Sequence, residues 1–264
     1  MLDDSQLSQL KNLSEAASNH LVLYDANIKE SILAAASGWY LALKERGVDV
    51  SLAALKKPTN KSLVGLKATE TDLGKQNLTI SFDYYEEAVD KISYHIGQET
   101  KKFYLTIKPK KGHKPLDAKT VEFAHTGFEA DIIYVFGVNK LEDLDKLYFG
   151  YEEQFKQTPL VAFHAQNINY GTIKIYNQAP ALSEDVFRLL TRLVWPITPA
   201  AATDLLYGIE AETQGLTSPL ATAETFDAVA RLMKLGAKRV WLKKKRSKPA
   251  ASLKREKKEV VVKA

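Results

Sequence analysis

The sequence predicts an α/β protein: a mostly parallel sheet flanked by helices, with an antiparallel hairpin extension and a disordered basic C-terminal tail. Three observations predict it. Short continuous apolar runs, "LVLYD", "DIIYVFGV" and "PLVAFHA", read as strands buried on both faces and covered by the helical stretches around them. Between the first two, "NLTISFDY", "KISYHIG" and "KKFYLTIK" alternate apolar with polar residues at period two, which marks half-exposed antiparallel strands. After residue 237 the chain is dominated by Lys and Arg.

Taken in order, Leu2, Leu7, Leu10, Leu13 and Ala17 fall at helical spacing and predict an amphipathic helix. "LVLYD" (21–25) is a buried strand, and "KESILAAASGWYLALKERG" a helix that stops at Gly47, a residue suited to the left-handed cap. "VDVSLAAL" (48–55) is the next strand, so strand, helix and strand imply a right-handed parallel crossover. From Lys56 to Gln76 the chain is rich in Lys, Thr and Asn with weak periodicity, as in a mobile or irregular connection. "GQET" supplies a hairpin turn between "KISYHIG" (91–97) and "KKFYLTIK" (101–108). "DIIYVFGV" (131–138) followed by a helical "LEDLDKLYFGYEEQF" returns to a buried parallel strand with its covering helix, and "PLVAFHA" repeats that pattern. Three helices follow "GTIKIYN": "SEDVFRLLTRLVW" with Ser183 as its cap, "TPAAATDLLYGIEAET" with Pro199 in its first turn, and "TAETFDAVARLMKLGA". Residues 1–237 thus form one α/β domain with an antiparallel insertion at about 77–110, and residues 238–264 a tail.

At 264 residues, 45% hydrophobic and 26% charged, the composition is that of an ordinary globular chain. The absence of Cys excludes disulfides, thiolate metal sites and Cys nucleophiles, which leaves carboxylates and the five His as metal ligands. The first twenty residues are polar and acidic where a signal peptide needs a basic start and an apolar core, and no apolar run reaches the roughly 18 residues of a membrane span. The expectation is a soluble, cytoplasmic protein that does not engage a membrane.

The net charge of +5 conceals a division. From Lys238 onward there are twelve Lys/Arg against Glu256 and Glu259, or +10, which leaves 25 basic and 30 acidic residues, or −5, in the body. The tail, with Lys243, Lys244, Lys245, Arg246, Lys248, Lys254, Arg255, Lys257 and Lys258, is therefore the candidate nucleic-acid-binding segment. So charged a block cannot fold alone. The hairpin "KISYHIGQETKKFYLTIKPKKGHK" also interleaves Tyr94, Phe103 and Tyr104 with Lys101, Lys102, Lys108, Lys110 and Lys111, a mixture suited to single strands, and Tyr170 and Tyr176 could stack on bases.

Four segments, "LVLYDANIKESILAAASGWYLALKERG", "DIIYVFGV", "AFHAQNINYG" and "LLYGIEAETQGL", resemble in order the motifs of the DHH phosphoesterase superfamily. The resemblance runs from about Leu21 to Gly236 and is strongest after Asp131. It implies a parallel-sheet scaffold of enzymes that cleave oligonucleotides, nucleotides or cyclic dinucleotides with two Mn²⁺ or Mg²⁺ ions about 4 Å apart. Aligned this way, the ligand His of the first motif falls on Tyr24, its two Asp on Ile28 and Glu30, the Asp of the second on Gly137, Asp-His-His on Ala162, Phe163 and His164, and the last Asp on Glu212. Ile28, Gly137 and Phe163 cannot ligate a metal through their side chains. The family's smaller glycine-rich substrate-binding domain has no counterpart in this sequence.

His164, Glu212 and Glu30 are the catalytic candidates, His164 and Asn167 the substrate-binding ones; Asp25 could substitute from the first loop, and no residues form a metal set. The remaining His share no metal-ligand spacing. The sequence therefore predicts a non-catalytic member of that superfamily, without cofactor, that binds RNA or a ribonucleoprotein through its tail. Two alternatives stay open: a residual phosphoesterase on short oligonucleotides or nucleotides using Mn²⁺ or Mg²⁺, and an assembly subunit with a filled cleft and a protein partner.

Overall fold

The computed structural model describes residues 2–73, 77–83, 88–126 and 128–240. The tail residues Lys243, Lys244, Lys245, Arg246, Lys248, Lys254, Arg255, Lys257 and Lys258 lie outside them. The strands are β1 (Asn19–Tyr24), β2 (Asp49–Ala53), β3 (Asn77–Ser81), β4 (Val89–Gly97), β5 (Lys102–Pro109), β6 (Glu122–Thr126), β7 (Ile132–Phe136), β8 (Leu160–His164) and β9 (Ile173–Tyr176). The helices are α1 (Asp4–Ala16), α2 (Glu30–Glu45), α3 (Glu152–Gln157), α4 (Leu182–Arg192), α5 (Pro199–Glu212) and α6 (Ala223–Lys234). Local chemistry explains several boundaries. Asp3 and Gln6 form a capping box that opens α1, and Thr198 caps α5 ahead of Pro199. α2 ends before Gly47, which holds φ +75°.

The α/β class is borne out. Five strands form one parallel sheet in the order β2-β1-β7-β8-β9. Because side chains alternate along each strand, the sheet feeds two cores. Val22, Tyr24, Tyr134, Phe136, Val161 and Phe163 enter the larger one, with Trp39 and the apolar faces of α2, α4, α5 and α6. Leu21, Leu23, Ile133, Val135 and Ala162 enter the other, covered by Phe128, Leu144, Leu147, Phe155 and Ile168. Small residues set the spacing of the helical layer. A Cβ on Gly38 would come within 2.5 Å of Leu205, and one on Gly208 within 2.5 Å of Ala34, so α2 and α5 approach more closely than side chains at these positions allow.

Four local expectations are corrected. Ser183 does not cap α4: the helix begins at Leu182, and Ser183 is buried with its hydroxyl unpartnered against Gly208. "LEDLDKLYFGYEEQF" is not one helix but a 3₁₀ segment (Leu141–Leu147), kinked within by Asp145 at φ 46°, and the short α3, parted from it at Gly150 with φ +90°. Glycine bears that conformation without the Cβ clash that would otherwise hold the chain helical. "PLVAFHA" carries no helix after it, since residues 165–172 lead straight to β9. Finally, β3 does not join the β4–β5 hairpin but pairs antiparallel with β6, a strand unassigned in the sequence reading, so the antiparallel part comprises two separate ribbons reaching to Thr126. Pairing between segments so distant in sequence leaves no local periodic mark.

Residues 56–73 are irregular, as expected, yet they are packed: Leu63, Leu66 and Leu73 are buried. Their docking depends on Asp204 of α5, whose carboxylate accepts from the Ser37 hydroxyl (2.5 Å) and the backbone N–H groups of Val64 (3.1 Å) and Gly65 (3.0 Å). Such convergence compensates for burying the group.

Candidate functional site

From β1 the chain crosses through α2 to β2 on one side and returns to β7 on the other, so the sheet's switch point lies between β1 and β7. In open parallel sheets ligands bind outside the carboxyl ends of the strands at that point. Here those ends carry Tyr24, Phe136 and Phe163, which lie in register across β1, β7 and β8. Continuous apolar strands put aromatics at these ends.

All three rings are fully buried in the larger core. Phe136 and Phe163 stack with centroids 4.2 Å apart, and Trp39 of α2 leans on Phe163 at 5.0 Å. The Tyr24 hydroxyl bonds Thr69 Oγ1 at 2.6 Å, and burial pushes its pKa up to about 12, against a smaller lowering by Thr69. It is a neutral phenol at neutral pH. Gly137, just beyond β7, holds φ +68°, and a Cβ there would meet Ile28 Cδ1 at 2.5 Å. Ile28 itself is packed against the larger core. Of the positions aligned with metal ligands, Tyr24, Ile28, Gly137 and Phe163 are thus taken up by packed side chains or by backbone, and Glu30 alone in the first three motifs keeps a carboxylate.

The remaining candidates divide between two places. Glu30 opens α2 and Glu212 closes α5, so helix packing brings them to the same end of the helical layer. Glu212 accepts from Lys29 Nζ (2.8 Å) and the Ser31 hydroxyl (3.1 Å), while Glu30 accepts from Asn60 Nδ2 (2.6 Å), which also reaches the Tyr207 hydroxyl (2.9 Å). Both carboxylates are committed to protein partners. Asp25 is half-buried and accepts from the Asn27 N–H (2.8 Å) in a local turn.

His164 is elsewhere. By alternation it shares the face of Leu160 and Ala162, opposite to Phe163, and so lies across the sheet from α2 and α5. Its Nδ1 lies 2.9 Å from the Gln166 backbone nitrogen and 3.2 Å from the Gln166 carbonyl, so the turn after β8 holds the ring in place. It borders a groove of about 450 Å³ with Asn139, Lys140, Tyr148, Asn167 and Tyr170. Asn167 Oδ1 accepts from the Tyr176 hydroxyl (2.7 Å), and the Tyr170 hydroxyl donates to the Val138 carbonyl (2.5 Å), so both tyrosine hydroxyls are engaged by local partners. His164 and Asn167 are brought together; Glu30 and Glu212 are not brought to them.

Sequence reasoning missed Asn60, Tyr207, Lys29 and Ser31, the partners of the two glutamates. Asn60 sits in the stretch taken for a connection, and only docking of that stretch on α5 gives it a role. The residues do not fit a two-metal centre: among the described residues no three His, Asp or Glu side chains are grouped to hold an ion. No helix of the described residues is long and apolar enough to cross a membrane.

No protein-family profile and no curated protein matches the chain. A solved structure does: an exopolyphosphatase-related protein from Bacteroides fragilis superposes on 89% of this chain with a TM-score of 0.61 and 16% sequence identity. The chain spans 58% of that protein's length. At this identity the likeness is one of fold, and it agrees with the DHH-type α/β scaffold that the four motif segments imply.

Proposed function

We propose that this chain is a non-catalytic protein on a DHH-type phosphoesterase scaffold and that it binds single-stranded RNA, free or within a ribonucleoprotein, through its basic C-terminal segment. The observation that carries the first half is the buried row of Tyr24, Phe136 and Phe163 at the strand ends where the chemistry would need metals. Two-metal hydrolysis draws its rate from the charge of the ions at the attacking and leaving oxygens, and hydrocarbon supplies none. A residual phosphoesterase would need Glu30, Glu212 and His164 at one centre, and they face opposite sides of the sheet. The second half rests on charge: +10 after Ala237 on a body of −5 dominates attraction to any polyanion.

Incubation with Mn²⁺ and a labelled oligoribonucleotide should give no cleavage above background. Turnover lost in Glu212→Gln or His164→Ala would overturn the non-catalytic reading. For binding, the chain should be cut after Val240 and not earlier, because Lys238 N–H bonds Thr203 Oγ1 (3.0 Å) and Arg239 pairs with the buried Glu210. The removed piece holds ten Lys/Arg against two Glu, or +8. If it meets about six phosphates, log K should fall against log salt with a slope near −4, from roughly −0.7 per phosphate. Equal RNA affinity of full-length and shortened proteins at low salt would remove the tail from the account.

A further inference from the structure

The β4–β5 ribbon presents an apolar face that the described residues leave uncovered. Direct cross-strand pairs share a face, and here those pairs are Ile92 with Ile107, Tyr94 with Leu105 and Ile96 with Phe103. Six apolar side chains therefore line one side, with no charge among them. The other side carries Lys91, Ser93, His95, Lys102, Tyr104, Thr106 and Lys108. None of the six belongs to either core or packs against it. Five of them are 43% to 70% exposed.

We infer that this face is a homodimerisation surface, on which the ribbons of two copies pack face to face about a twofold axis. Three properties of the ribbon, independent of any nucleic-acid binding, point to a second copy. A lone two-stranded ribbon is at best marginal in water, so its apolar face needs a covering layer. The exposed side chains amount to on the order of 600 Å² of apolar surface, at the top of the range for a monomer's largest patch and close to the roughly 800 Å² per partner of a standard interface. The face is also self-complementary: it has no charge to match, so an identical copy covers it without leaving an ion buried.

A nucleic acid is the poorer occupant of this side. Stacking platforms set cations beside their aromatic rings, and here Tyr94 and Phe103, stacked 5.4 Å apart, are surrounded by Ile and Leu while the lysines face away. Facing sheets lie about 10 Å apart, and the two lysine faces lie on their outer sides, beyond the Debye length of about 8 Å at physiological ionic strength. Their repulsion is screened there and returns at low salt. Dimerisation should strengthen with added salt, where RNA binding weakens.

The test is sedimentation velocity of the full chain over a concentration series at low and high salt, free of nucleic acid. A dimer favoured by salt is expected, with the dissociation constant raised at least about thirtyfold by Tyr94→Lys or Phe103→Lys and unchanged by Lys102→Ser. Since a lysine could instead unravel the ribbon, proximity is read separately. The chain has no Cys, so Tyr94→Cys or Leu105→Cys should form an intermolecular disulfide on oxidation and Thr106→Cys, on the opposite side, should not. A protein monomeric at every concentration, a dimer that survives both lysine substitutions, or equal cross-linking from Thr106→Cys would overturn the inference.

Discussion

Across the parallel sheet, Tyr24, Phe136 and Phe163 occupy one row and are fully buried, whereas across the β4–β5 ribbon Tyr94, Ile96 and Phe103 share one side and are 63% to 70% exposed. The two regions use similar side chains. They differ in what covers them. Strands apolar on both faces sit between layers drawn from the chain itself: α2, α4, α5 and α6 on one face, the 141–157 region and Phe128 on the other. The alternating strands need a single cover, and the described residues provide none. An aromatic residue in the sheet is therefore a matter of stability, and one on the ribbon a matter of association.

The comparison would break most visibly at Phe163. Phe163→His removes the ring stacked on Phe136 and leaves two ring nitrogens among hydrocarbon, which should cost about 3 to 5 kcal/mol in denaturant unfolding. It should not create Mn²⁺ binding. Unchanged stability together with calorimetric Mn²⁺ uptake would show an open crevice instead of a packed one.

A somewhat smaller loss, about 2 to 3 kcal/mol near neutral pH, is expected for Asp204→Ala, which strands the Ser37 hydroxyl and the Val64 and Gly65 N–H groups. The same residue sharpens the comparison through pH. Burial raises the carboxyl of Asp204 above its ordinary value, against lowering by Ser37, Gly65 and Val64, and burial also raises Glu184 and Asp185. The folded state then keeps protons that the unfolded chain has released, so the contribution of these groups is most favourable below about pH 4 and declines as pH rises through the folded values. Stability of the parent relative to Asp204→Asn should fall across that window in a pH series of melts. A flat difference would mean that Asp204 titrates normally in the fold.

The smallest effect belongs to the ribbon. Phe103→Ser, at a side chain 63% exposed, should change the unfolding free energy of the dilute monomer by no more than about 0.5 kcal/mol. A loss as large as that at Phe163 would show that the ribbon face packs on its own body, and the contrast between the two regions would fail.

Much of the scaffold was legible because it is written in local periods. "LVLYD", "DIIYVFGV" and "PLVAFHA" are strands since only burial on both faces tolerates such runs, and Leu7, Leu10 and Leu13 mark α1 by spacing alone. The site was legible only as substitutions: Ile28, Gly137 and Phe163 were recognisable as unable to hold metals, but the stack of Phe163 on Phe136 beneath Trp39 was not. Ser183, taken for a cap by its type, is placed inside α4 because Gly208 admits it there.

By itself the sequence determined the α/β class, the parallel β1–α2–β2 crossover, the antiparallel character of the insertion and the division of charge between body and tail, all of which follow from residue type and short-range spacing. Tertiary structure alone decided that β3 pairs with β6, that Asn60 and Asp204 tie residues 56–73 to the helices, and that His164 faces away from Glu30 and Glu212. Those outcomes depend on which distant segments pack together and on the parity of each strand in the sheet, and a one-residue change of register would reverse the parity without altering the apolar pattern that a sequence displays.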